Sequence, residues 1–236
     1  MAEKTEQNSQ LIEKMFSVGA HFGYSRSRRH PTTSSYIFGA KNKVEIINLE
    51  KTEELLNSAL EFVKKLASEG KVILFVSGKN EAKEAVEKGA NSIEMPYVAG
   101  RWVGGTFTNF DNIKKRVEKM QDLISQREKG ELGKYTKKER LLIDRQIDNL
   151  QELFSGLVLL KQLPTALFVV DSRREKIAVE EAKKLNIPVI ALCGSDCNLK
   201  EVDYPIVAND SSITSIKFFV EKVVEAYKQG KQIKSS

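Results

Sequence analysis

The 236-residue sequence predicts a doubly wound α/β domain, a parallel sheet with helices on both faces, carrying a helical hairpin inserted between two strands. Three observations lead there. Short runs rich in β-branched residues alternate with amphipathic helical patterns, the rhythm of a sheet wound with crossover helices. Several of those runs are apolar throughout, as strands buried on both faces must be. One stretch, 108–160, holds no strand and instead carries two apolar seams at heptad-like spacing.

The strand candidates in order are "VEIINL" (Val44–Leu49), "VILFVS" (Val72–Ser77), "ALFVVD" (Ala166–Asp171), "PVIALC" (Pro188–Cys193) and a weaker "YPIVA" (Tyr204–Ala208). Helical patterns fall between them. "KTEELLNSALEFVKKLASEG" repeats Leu56, Leu60, Val63 and Ala67 at four-three-four spacing and stops at Gly70. "KNEAKEAVEKGA" follows the second strand. "SRREKIAVEEAKKLN" opens with a capping-box pattern, Ser172 with Glu175, before Pro188 restarts an extended chain. "NDSSITSIKFFVEKVVEAY" closes the domain. The result is a three-layer, flavodoxin-like arrangement.

In the strandless stretch, Ile113, Val117, Met120 and Ile124 form one seam, and Ile143, Ile147, Leu150, Phe154 and Leu157 the other. Between them "QREKGELGKYTKKE" supplies glycines and a second capping box, Thr136 with Glu139. Two such helices joined by a short loop read as an antiparallel coiled-coil hairpin. Each arm of about 20 residues reaches about 30 Å. The expected division is therefore a sheet domain from 1–105 and 161–236, with a basic N-terminal extension, and an inserted hairpin, 106–160.

Hydrophobic residues make up 41% and charged residues 30%, ordinary values for a globular chain with a full core. No signal-peptide pattern and no apolar run of membrane-spanning length is present, and the two cysteines, Cys193 and Cys197, read as free thiols. A cytoplasmic setting is expected. The net charge is +6, and its distribution is uneven. Between Lys14 and Val44 stand Lys14, Arg26, Arg28, Arg29, Lys41 and Lys43 with no acid among them, interspersed with His21, Phe22, Tyr24, His30, Tyr36 and Phe38. Guanidinium groups bind phosphates bidentately and aromatic faces stack on unpaired bases, so this composition points to RNA. Its many serines and threonines are compatible with a segment that orders only on binding.

Open α/β sheets bind ligands at the carboxyl ends of their strands. After Ser77 comes "GKNEA", which lacks both the G-x-x-x-x-G-K-[ST] and the G-x-G-x-x-G patterns. After Val170 comes "DSRRE", where Asp171 reads as a strand end and Ser172 as a helix cap. In "CGSDCN", Cys193, Asp196 and Cys197 fall short of a four-ligand zinc set unless His21 joins them. Both histidines lie in the basic segment, leaving no nucleophile with a separate histidine base.

His21, Phe22 and Gly23, then Pro31, Tyr36 to Gly39, Lys41 to Val44 and Ile46 to Thr52 form one ordered pattern. Arg101, Trp102, Gly104, Gly105, Thr106, Thr108 and Asn109 form a second, and "LPTALFVVD", "EAKKLNIPVIA" and "VDYPIVAND" follow. From Leu11 to Gly230 the chain resembles the bacterial members of the small-subunit ribosomal protein two family. The resemblance implies a parallel-sheet domain with a protruding hairpin and a role without catalysis: binding small-subunit ribosomal RNA, bridging head and body, and anchoring the subunit's large first protein beside other small-subunit proteins. Two positions depart from the family pattern. Tyr24 stands where His-Phe-Gly-His is usual, and Gly194 to Leu199 stand where Asp-Thr-Asn-x-Asp-Pro is usual.

On this reading Gly104 and Gly105 turn the chain from sheet to hairpin, and Thr108 or Asn109 caps the first hairpin helix. Trp102 either faces RNA or plugs the core beneath the hairpin. The expected RNA contacts are Arg26, Arg28, Arg29, His30, Lys41, Asn42, Lys43, Arg101, Trp102, Asn109, Lys114 and Lys115. No cofactor, metal, membrane or small-molecule substrate is expected. The competing readings are a sheet enzyme acting on a phosphorylated metabolite and a coiled-coil adaptor outside the ribosome.

Overall fold

The computed structural model describes residues 2–233, with side chains from 10 to 232. Helix α1 (Ala2–Ser17) leads into three short strands, β1 (Phe22–Ser25), β2 (Ile37–Lys41) and β3 (Val44–Ile47), which form a separate antiparallel sheet in the order β1-β3-β2. The basic segment is thus folded, and Val44–Ile47 belongs to this small sheet rather than to the parallel one. The turn between β2 and β3 explains the difference. Asn42 and Lys43 both take left-handed backbone angles, φ 52° and 67°, the two-residue turn that closes a tight antiparallel hairpin.

Helix α2 (Leu49–Ser68) follows, capped by Asn48, whose side chain accepts from the amides of Glu50 and Lys51. The parallel sheet then begins with β4 (Ile73–Ser77), α3 (Asn80–Asn91) and β5 (Tyr97–Ala99). Helices α4 (Phe110–Glu128) and α5 (Lys137–Phe154) intervene before β6 (Ala166–Val170), α6 (Lys176–Lys184), β7 (Val189–Cys193), β8 (Tyr204–Val207) and α7 (Ile213–Ile233). All pairings are parallel, in the order β5-β4-β6-β7-β8. The chain reverses direction across the sheet between β4 and β6.

Period-two alternation divides the core. Ile73 and Phe75 of β4 and Phe168 of β6 pack with Leu56, Val63, Val86, Phe219 and Val223 from α2, α3 and α7. Leu74, Val76, Leu167 and Val169 point the other way, towards Val179 of α6, Ile113, Val117 and Met120 of α4, and Leu150 and Phe154 of α5. Helices therefore cover both faces. The Thr136–Glu139 capping box forms as expected at the start of α5. The Ser172–Glu175 box does not. Asp171 accepts instead from the amides of Arg173 and Arg174, each at 3.0 Å, Ser172 is buried against Cys193, and α6 starts only at Lys176. A carboxylate one residue earlier bonds those amides in an aspartate turn, so the serine has none left to cap.

Candidate nucleic-acid interface

The carboxyl ends of the parallel strands are filled by the protein's own charges. The Lys79 ammonium lies 2.8 Å from both Asp171 and Asp210 and also donates to the Asp210 carbonyl at 2.9 Å, all buried. Burial pulls the Lys79 pKa down, but the two carboxylates, Asp210 foremost, more than offset it and the net shift is upward. Burial pushes Asp210 up to about 6, against the pull of Lys79. Ligand atoms of Asp171, Cys197 and Asp210 come within 4.8 Å of one another, a geometry able to hold a cation. The Lys79 ammonium is already bound to both carboxylates. A hydrogen bond with Cys193, together with burial, drives the Cys197 thiol far upward, away from the thiolate a metal needs. His21 is not in that group; it stacks on Phe16 with ring centroids 4.3 Å apart.

Beside this knot, a crevice of about 490 Å³ opens at the ends of β4 and β5, lined by Lys83, Arg101, Arg174, Glu152 and Glu175. The Gly78 amide that would offer itself to an anion there donates to Glu175 at 2.8 Å. Among the described residues no helix is long and apolar enough to cross a membrane.

The glycine turn before α4 does cradle an anion, and it is internal. Glu181 of α6 accepts from the amides of Gly105 (2.7 Å), Phe107 (2.9 Å) and Thr108 (3.2 Å), and the Trp102 indole N–H reaches it at 3.5 Å. Gly105 takes φ +90°, a conformation open to glycine at little cost. Asn109 occupies the cap position of α4, yet its side chain accepts from the Asn112 amide at 2.8 Å and caps no backbone N–H. Trp102 is the core plug: it is only 7% exposed, with Phe107 edge-on at 5.0 Å. Local patterns hid Glu181 and Lys79, although a glutamate among the buried Ala178, Val179 and Ala182 of α6 is a signal that could have been read.

The basic residues divide into two groups. Arg29 pairs with buried Glu45 at 3.0 Å, and Arg28 with buried Asp196 at 3.2 Å, an acid it shares with Arg173 at 2.7 Å. Arg29 braces the small sheet from within, and Arg28 fastens it to the strand ends, with help from Thr33, which donates to the Ser195 carbonyl, and from the Tyr24 amide, which donates to the Ser195 hydroxyl. His30 is half-buried, and its ring accepts from the Thr32 amide. Arg26, Lys41 and Lys43 are exposed, as is Asn42, and none of the three cations makes an ion pair among the described residues. Lys41 ends β2 and Lys43 lies in the β2–β3 turn, and Phe38 of β2 is 79% exposed. At the foot of α4, Arg101, Asn109, Lys114 and Lys115 are exposed too.

A doubly wound sheet closed by internal ion pairs, with exposed cations on an appended sheet and at a helix base, defines an α/β protein with basic patches in those two places. The ribosomal protein S2 family model matches residues 15–230. The chain is 38% identical over 221 residues, 94% of its own length and 82% of the relative's, to the small ribosomal subunit protein uS2 of Coprothermobacter proteolyticus. The chain belongs to the ribosomal protein S2 family, and its role is that of a structural constituent of the small ribosomal subunit.

Proposed function

We propose that the protein grips small-subunit ribosomal RNA, without catalysis, through Arg26, Lys41, Asn42 and Lys43 at the small sheet and Arg101, Asn109, Lys114 and Lys115 at the foot of α4. The observation that carries this reading is the set of exposed cations with no carboxylate partner among the described residues, displayed on folded structure. Arg28 and Arg29 are half-spent on Asp196 and Glu45, so their main part is structural, Arg28 tying the small sheet to the strand ends and Arg29 bracing it from within, with His30 next in the chain. Trp102 acts by fixing the backbone next to Arg101. Contacts of this kind go mainly to phosphates, which position the protein without reading sequence.

Residues 106–160 serve in this reading as one antiparallel coiled-coil hairpin inserted into the sheet domain of 1–105 and 161–236, with its inner residues joined to the core of the sheet. Supporting it, Ile113, Val117 and Met120 and then Ile147, Leu150 and Phe154 are the buried positions of two consecutive helices. Other small-subunit proteins, the large first protein among them, are the protein neighbours, and the place of action is the cytoplasmic ribosome.

The test is the salt dependence of binding to small-subunit ribosomal RNA. Arg26→Ala, Lys41→Ala and Lys43→Ala together reduce the slope of log affinity against log salt by about 2.5, at roughly 0.7–0.9 per lost phosphate contact. An unchanged slope would remove this face as the footprint. Lys43 offers a sharper check, because its left-handed backbone suits glycine better than lysine. Lys43→Gly is expected to leave unfolding stability equal or slightly higher while lowering the slope by about 1; equal RNA binding at every salt concentration would show that Lys43 touches no phosphate.

A further inference from the structure

We propose that the cleft where α4 leaves the glycine turn is a second RNA seat, one that receives a single extruded nucleotide with its flanking phosphates on the rim. This rests on the RNA-binding reading above and deepens it at the foot of α4, where Asn109 and Lys115 belong to both. The cleft encloses about 710 Å³, within the roughly 300–1,000 Å³ of ordinary ligand pockets. Its cations are Lys115, Arg116 and Lys119, all exposed on α4, and no aspartate or glutamate lines it. The other large clefts differ: the groove between α3 and α7 is lined by Glu81, Glu84, Glu221 and Glu225, and the strand-end crevice by Glu152 and Glu175. An acid-free rim of cations concentrates phosphate.

Phosphate alone would not call for the rest of the lining. Asn109, Asn112 and Gln146 bring neutral amides, which pair with the donor and acceptor edges of an unstacked base. The Asn112 amide donates to Asn109 at 2.8 Å, which orients both groups before any ligand arrives. Ile113 and Leu150 give an apolar floor for a base or ribose face. Gly104 and Gly105 keep one wall free of side chains, so that a strand can approach the backbone closely. A paired helix would present phosphates and leave the amides and the floor without partners.

The experiment uses the full chain and small-subunit ribosomal RNA. Arg116→Gln with Lys119→Gln is expected to lower the salt slope by about 1.5. Asn112→Ala with Gln146→Ala is expected to weaken binding about tenfold at every salt concentration, slope unchanged, since one good base contact is worth roughly a factor of ten. All these positions are on exposed helix surface, and melting curves equal to the parent's confirm that folding is intact. Full affinity in the amide variant overturns the extruded nucleotide, and an unchanged slope in the charge variant overturns the seat altogether. The Arg26, Lys41 and Lys43 variant separates the two levels: if its slope falls while the α4 variants behave as the parent, only the second seat is lost. If no variant changes the slope, RNA binding through these faces fails with it.

Discussion

Glu181→Ala lowers the melting temperature by about 10 °C, on the basis of about 3–5 kcal/mol of lost stability and 2–4 °C per kcal/mol for a chain of this size. One buried carboxylate accepts from the amides of Gly105, Phe107 and Thr108 and from the Trp102 indole. Removing it leaves several donors dry and without acceptors, and each such group costs about 1–3 kcal/mol. Glu181→Gln does little better, because one carboxylate oxygen becomes an NH₂ that faces N–H donors. The damage falls on the start of α4, so fluorescence of the single tryptophan, Trp102, should change with the first signs of unfolding. A melting curve within a degree or two of the parent's would show that Glu181 is not what fixes the glycine turn.

Lys79→Met removes about 3–5 kcal/mol near neutral pH, because it strands the buried Asp171 and Asp210 without their cation. The pH dependence is the distinguishing sign. Burial raises Asp210 to about 6 in the folded protein from an ordinary value of 3.8. Between those two values the folded state holds a proton that the unfolded chain has released, so this group's contribution falls as pH rises through the window. Without Lys79, the attraction opposing burial is gone, the folded value rises further and the window extends upward. The destabilisation of Lys79→Met is therefore smaller near pH 5 than near pH 7.5, as urea unfolding at the two values would measure. An equal loss at both would mean that the lysine's hydrocarbon stem, rather than its charge, is what the knot needs.

The three central strands, β4, β6 and β7, were legible because double burial leaves runs such as "LFVV" almost wholly apolar. β1 and β2 were not, since "FGYS" and "IFGAK" contain glycine and sit half in solvent, and β5 has only three residues. Positions of the helices from α2 onward were read well from their apolar spacing, whereas α1 was not read. Their ends were read less well, because Asp171 and Ser172 compete for the same amides and only geometry decides between them. The basic segment was found by counting charges, but counting stopped one residue short of Glu45 and could not see Asp196, 168 positions beyond Arg28. Separation in sequence also concealed Glu181 from the glycine turn, 76 residues before it. Local periodicity records which face is buried; it carries nothing about which charge meets which across the fold.

Small-subunit sedimentation through increasing salt tests the central claim most directly, with the parent chain and its Arg26→Ala, Lys41→Ala and Lys43→Ala variant run side by side. The parent should travel with the subunit and leave it at high salt, and the variant should leave at distinctly lower salt with an unchanged melting temperature. Release of both at the same salt concentration would contradict the account.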